Sequence, residues 1–248
     1  MKRSLILIIA FYLFSSSVNA QLWKLRRYEI SGGIGTTQFF GDIGGYPNSK
    51  NILGIKDFTF RQTRINANAS LRYRIGEIFS ARLGLMYGLF HSTDARGATI
   101  RRGYEETTTF FEPSLTGEYY FIKNKGENSF VFLKGNHSLL KSIFQSLDFY
   151  FFTGVGGLAY NVKPNALLAA QRLRTNGFTE VIPLGIGTSM IYSDKINFGI
   201  ELGGRFTFSD YLDGYTNEES LKNDVYYILN FTLTYKMKTG RNGMAMFR

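Results

Sequence analysis

His91, Ser92 and Asp94 place a base, a hydroxyl and an acid close together in the chain. Those are the residue types a hydrolytic triad needs to activate a nucleophile. A triad is assembled in space, however, and adjacency in sequence is no sign of one. His91 reads as the end of a strand where a loop begins, and the second histidine, His137, as a surface residue. Gly33-Ile34-Gly35 and Gly154-Val155-Gly156-Gly157 resemble fragments of nucleotide-binding loops. Neither has the full spacing, a following helix or a lysine, and glycine in a strand more often relieves crowding. Asp42, Asp210 and Asp213 offer oxygens to calcium but are not spaced as one site. Glu105-Glu106 reads as a solvated loop pair. With no cysteine and two histidines, thiolate zinc sites, iron–sulfur clusters, disulfide frameworks and multi-histidine metal sites are excluded. The sequence therefore assigns no catalytic, cofactor-binding or metal-ligating residue, and no cofactor.

The elements that would have to position such chemistry have a period of two. Ile65, Ala67, Ala69, Leu71, Tyr73 and Ile75 alternate with Asn66, Asn68, Ser70, Arg72 and Arg74. This is the pattern of a strand with one apolar and one polar face. It recurs at 196–208 and 225–235, and less cleanly at 28–40, 79–91, 107–122, 147–160 and 179–192, which predicts eight strands. Short turns at Gly76-Glu77 and 193–195 alternate with long polar loops at 41–60, 92–106, 161–178 and 210–224. Such asymmetry belongs to outer-membrane barrels. The fold class that follows is all-β, an eight-stranded antiparallel transmembrane β-barrel. Its rival is a soluble barrel with apolar residues inside.

Energy decides which face meets lipid. An arginine in hydrocarbon costs about 2–4 kcal/mol near the midplane. Arg72, Arg82 and Arg205 are therefore predicted to point into the lumen, partnered there by Glu112, Glu118, Glu180 and Glu201. Eight strands leave room only for side chains, so a packed ion-pair network is expected in place of a channel.

At the amino terminus Lys2 and Arg3, an apolar stretch to Phe14 and Val18-Asn19-Ala20 form a secretory signal, with cleavage near Ala20. Residues 21–248 then form a single barrel domain in the outer membrane. The net charge of +10 suits lipopolysaccharide or an acidic envelope partner, and export removes nucleic acid. One short-side connection, 123–146, is anomalously long. Within it Leu139, Leu140, Ile143 and Phe144 are spaced for one helical face. Lys123, Lys125, Lys134 and Lys141 make it a candidate docking element for periplasmic proteins, together with the basic tail Lys236, Lys238, Arg241 and Arg248.

Several blocks resemble a known family. They are Trp23 with Arg26-Arg27-Tyr28-Glu29, Gly32-Gly33-Ile34-Gly35, and Phe39-Phe40-Gly41-Asp42-Ile43-Gly44-Gly45. Further matches are Phe152 to Pro164, Pro183-Leu184-Gly185-Ile186-Gly187, and Phe206 to Asp213. Together they resemble the PorG-type outer-membrane barrels of Bacteroidota, associated with the type IX secretion system. The chain departs at Gly214-Tyr215, where the family more usually continues with aspartate and valine. The resemblance implies a non-enzymatic accessory or anchoring role in secretion, with periplasmic secretion proteins as partners. The alternatives are a structural or adhesin-type small barrel and, less favoured, a lipid A-modifying hydrolase built on His91.

Overall fold

The computed structural model describes residues 22–44, 59–95, 100–135, 138–171, 174–216, 223–240 and 242–246. The expected signal segment and the tail residues Arg241 and Arg248 lie outside them. A 3₁₀ turn at Leu22–Leu25 leads into eight long strands. These are β1 (Tyr28–Phe40), β2 (Arg64–Arg74), β3 (Phe79–Thr93), β4 (Glu105–Ile122), β5 (Leu147–Pro164), β6 (Asn176–Ile191), β7 (Ile196–Thr207) and β8 (Val225–Thr239). Each pairs antiparallel with the next, and β1 closes the barrel on β8 from Tyr28↔Met237 to Phe40↔Val225. A two-residue β9 (Ala245–Met246) folds back on the end of β8. Several strands run further into the long loops than alternation predicts. The end of β5 at Pro164, for example, pairs with Glu106.

The lateral surface is apolar. Ile34 is 71% exposed, Ile65 72% and Val155 65%, and Leu83, Leu115 and Phe231 stand out on other strands. An apolar surface that circles the wall has no place on a water-soluble monomer and marks the lipid belt of a membrane barrel. Aromatic pairs ring its short-turn edge, including Tyr28 with Tyr73 at 5.1 Å and Phe79 with Tyr119 at 5.2 Å. At the other edge Phe40 meets Tyr227 edge-on at 5.4 Å.

The expectation of ion pairs throughout the lumen needs one correction. The half nearest the long loops is filled by an apolar cluster of Phe39, Phe90, Phe110, Leu158, Val162 and Leu212 with their neighbours. Phe90 stacks on Phe110 at 4.2 Å and on Phe39 at 5.2 Å. The cause lies outside the wall at the same height. There the outward residues turn polar, as at Thr107, Thr109, Asn161 and Lys163. These strand ends project into water, so their interior is built as in a soluble barrel, with apolar side chains inward.

Candidate functional site

Three regions carry the polar chemistry: the charged half of the lumen, the mouth at the long loops, and the 123–146 connection.

In the lumen, Arg72 spans Glu29 at 2.9 Å and Glu118 at 2.6 Å. Arg82 meets Glu118 at 3.1 Å and also pairs with Glu201. Arg205 holds Glu112 at 3.0 Å, and Tyr226 donates to the same carboxylate. Arg74 binds Glu29 at 2.8 Å and Glu127, which Lys236 also approaches at 3.6 Å. All of these side chains are buried or nearly so, and each cation faces at least one carboxylate. Buried charges persist only under that condition. Tyr150 donates to Glu201 at 2.6 Å and Tyr120 to Glu118 at 3.2 Å. Glycine makes room for the Tyr150 ring: a Cβ at Gly187 would lie 2.3 Å from it. A cavity of about 40 Å³, lined by Asn68, Arg82, Glu112, Glu201, Arg205 and Asn230 among others, is of the order of one water molecule's space. It is a gap between side chains and not a pore.

Of the predicted lumen residues, Arg72, Arg82, Glu112, Glu118, Glu201 and Arg205 come together in this way. Glu180 does not. It is exposed on the outer wall between Phe178 and Ile182, because it shares their strand parity while Thr179 and Val181 face inward. It sits near the loop end of β6, where the apolar belt gives way to polar residues. Sequence reasoning missed Glu29, Arg74, Glu127 and Lys236. The first two were findable: Glu29 alternates with Tyr28 and Ile30, and Arg74 shares the parity of Arg72. Lys236, expected with the basic tail to contact a periplasmic partner, is instead 2% exposed inside the barrel and not available for docking. Glu127 enters from the connection with φ at 46°. Burial opposes its charge, but Arg74 and Lys236 outweigh that and hold its carboxyl below the usual range.

At the mouth, side-chain carboxylates hold loop backbone. Asp213 accepts from the amides of Asp42 at 3.0 Å, Ile43 at 3.2 Å and Tyr215 at 2.9 Å. Asp94 accepts from Gly44 at 2.9 Å and Tyr104 at 3.1 Å, and pairs with Arg102 at 2.8 Å. The Arg102 guanidinium lies against both the Tyr104 and Tyr215 rings, 4.8 and 4.7 Å from their centres, which are themselves 5.5 Å apart, and it donates to the Asp42 carbonyl. Asp224 accepts from Leu212 at 2.8 Å, and Thr108 donates to the Leu212 carbonyl. Gly44 has φ at +77°, and a Cβ there would lie 2.3 Å from the Thr93 carbonyl oxygen. Glycine is therefore the residue this turn accepts. The Phe-Gly-Asp-Ile-Gly and Ser-Asp-Tyr-Leu-Asp blocks, far apart in sequence, meet here as one latch. Gly214, the point of departure from the resemblance, adopts φ at +73° and delivers Tyr215 onto Arg102.

The charges in this latch behave differently. Burial works against ionised Asp94, but Arg102 and the two amides prevail and keep its carboxyl below the usual range. Burial pushes the Asp213 carboxyl up to about 7, and the neighbouring Asp42 adds to it against the three amides. Asp224 is raised as well, by burial and by Asp213.

His91 and Ser92 are consecutive on β3 and so point to opposite faces of the wall. The imidazole contacts Thr107 at 3.1 Å and Glu105 at 3.4 Å, while Asp94 serves Arg102. The three do not form a triad. Asp210 binds Thr216. Among the described residues no cluster of histidine and acidic side chains has metal-binding geometry.

The 123–146 connection contains α1 (Phe130–Lys134), capped by the Ser129 hydroxyl, and α2 (Leu139–Gln145). Lys125, Lys134 and Lys141 are exposed. Lys123 is not available for docking: its ammonium is buried in an ion pair with Asp148, which also accepts from the Asn124 amide at 2.7 Å. His137 lies outside the described residues.

Fold and site together define an eight-stranded antiparallel transmembrane β-barrel of the outer-membrane type with a closed lumen. No family model and no curated protein matches the chain. Solved barrels are similar to it in shape. The N-terminal barrel domain of Pseudomonas aeruginosa OprF aligns over 85% of this chain and 98% of its own, at 11% identity and TM-score 0.43. Neisserial surface protein A covers 84% and 96%, at 11% identity and TM-score 0.45. Ail, the attachment invasion locus protein of Yersinia pestis, solved with the heparin analogue sucrose octasulfate, covers 85% and 98% at 8% identity and TM-score 0.44.

Proposed function

We propose that the protein is a non-enzymatic structural barrel of the outer membrane that acts through the surfaces at its two ends, with the latched external mouth as its principal platform. The observation that carries this reading is the filled interior. Ion pairs occupy one half of the lumen and stacked aromatics the other, so what the protein does, it does on its surface. An outward face rich in aromatic and aliphatic residues suits contact with outer-membrane lipid, lipopolysaccharide included. Purified protein in a planar bilayer is expected to show no nanosiemens conductance steps. Cells lacking the gene are expected to lose outer-membrane integrity or surface attachment while type IX cargo is secreted as before. Open-channel conductance would overturn the structural reading.

A second reading is the accessory role in type IX secretion. It is favoured by the exposed, basic insert at the periplasmic end and by the resemblance to PorG-type barrels. On that reading Lys125, Lys134 and Lys141 contact a periplasmic partner. Deletion would then trap cargo in the periplasm with the outer membrane intact.

A further inference from the structure

The helices α1 and α2 turn apolar side chains away from the protein. Val131 is 54% exposed, Phe132 65%, Leu139 58%, Leu140 70% and Phe144 69%, whereas Leu133 packs inward. This face is not isolated. The Val131 amide donates to the Tyr192 carbonyl at 3.1 Å, and the Phe130 ring stacks over Tyr192 at 6.1 Å. Tyr192 in turn meets Phe198 edge-on at 5.4 Å, and Phe198 is a lipid-facing residue of β7. The apolar surface thus runs from the barrel wall, across its aromatic edge, onto the insert. Between Phe130 and Gln145 the chain carries Lys134 and Lys141 and no acid.

We propose that this insert is a membrane-surface element: α1 and α2 lie in the periplasmic leaflet of the outer membrane, apolar side chains among the acyl chains, with Lys134 and Lys141 at anionic phospholipid headgroups. Continuity with the lipid belt supplies the location. An amphipathic segment with basic and no acidic residues supplies the match to an anionic surface. Lysine stems reach the headgroup level while their ammonium groups stay wet. The insert is anchored for this task, because Glu127 is fixed in the lumen by Arg74 and Lys236 and Lys123 by Asp148. The chain therefore leaves the barrel interior at a set point and crosses the rim outward.

The protein has no cysteine, so a single introduced one reports a single place. Full-length Leu140→Cys and Phe144→Cys, with Lys125→Cys as the water-exposed reference, are labelled with an environment-sensitive fluorophore. They are placed in nanodiscs of phosphatidylethanolamine and phosphatidylglycerol. Folding of each variant is checked by heat-modifiable gel migration, and Leu139→Cys replaces either one that fails. Labels at 140 and 144 are expected to be quenched by nitroxide lipid and shielded from iodide at least about fivefold relative to 125, as burial at the acyl boundary requires. Lys134→Gln and Lys141→Gln should each raise iodide access by up to about fivefold, and phosphatidylcholine discs should act likewise. Labels at 140 and 144 as open to iodide as the one at 125 would overturn the proposal. So would protection seen only in isolated outer membranes, since a protein partner would then be what covers this face.

Discussion

The two ends of this barrel are finished by opposite means. At the long-loop mouth the apolar residues are inside, stacked from Phe39 to Phe90 and Phe110, and carboxylates turn inward to hold loop amides. At the short-turn end the charges are inside, from Arg72 to Lys236, and the apolar residues of α1 and α2 are outside. The same strands serve both ends. The difference lies in what surrounds the wall: water around the projecting loop ends, lipid around the rest. Among the described residues, the mouth holds its loop amides with its own carboxylates. The insert is incomplete without a neighbouring apolar phase.

The contrast can be broken hardest from the charged side. Arg82→Met leaves Glu118 and Glu201 short of a buried cation and is expected to cost about 3–5 kcal/mol. The cost would show as a lower urea midpoint for the shift from folded to unfolded gel mobility. A midpoint unchanged from wild type would mean that the lumen pairs contribute nothing net. Next in size is the mouth. Asp213→Ala strips three amides of their acceptor, and the one whose contact is buried, at Ile43, costs about 1–3 kcal/mol when left unpaired. Hydrogen exchange at Asp42, Ile43 and Tyr215 should accelerate while the lumen end stays protected.

Asp213 also gives the mouth a pH dependence of its own. Burial pushes its carboxyl up to about 7 in the folded state, against an ordinary 3.8. Between those values the folded state binds the extra proton, so stability of the latch falls as pH rises through that window and levels off above it. Amide exchange at Asp42 and Ile43 is expected to quicken, beyond its intrinsic pH dependence, from pH 5 to pH 8. The conservative Asp213→Asn variant should reduce that excess, the remainder coming from Asp224, which burial also raises.

Smaller effects sharpen the comparison. Gly44→Ala puts a Cβ into a left-handed turn, which by itself costs about 1–2 kcal/mol, and against the Thr93 carbonyl, and should loosen the mouth alone. Ser129→Ala removes the α1 cap, at about 1 kcal/mol, and should loosen the insert alone. His91→Ala is expected to leave lipid A unmodified and unchanged by mass spectrometry, in keeping with the opposite directions of His91 and Ser92.

Strand parity made most of this legible in advance. Arg72, Glu112, Glu118 and Arg205 face inward because their apolar neighbours face outward, and the cost of arginine in lipid fixes that sense. Parity says nothing of height, however. Phe90 and Phe110 share the inward parity of Arg82 and Glu112, yet lie where the wall has left the membrane. Glu180 was placed by its charge when its parity with Phe178 and Ile182 had the better claim. Glu127 reaches the lumen from a connection, through a backbone angle that no periodicity encodes. The latch likewise depends on loops from opposite ends of the chain meeting, and only the tertiary structure brings Asp213 to Asp42.

The pairing of β1 with β8 bears on how such a molecule is made. Tyr28 finds Met237 only after all the strands between them have been synthesised. Until then the chain has two unsatisfied edges and a lumen whose cations and anions are carried on separate strands. Contacts so distant in sequence are reached slowly, and open edges invite pairing with other chains. Partial barrels therefore gain little, and biogenesis has to protect a complete but unclosed chain up to the moment its ends meet.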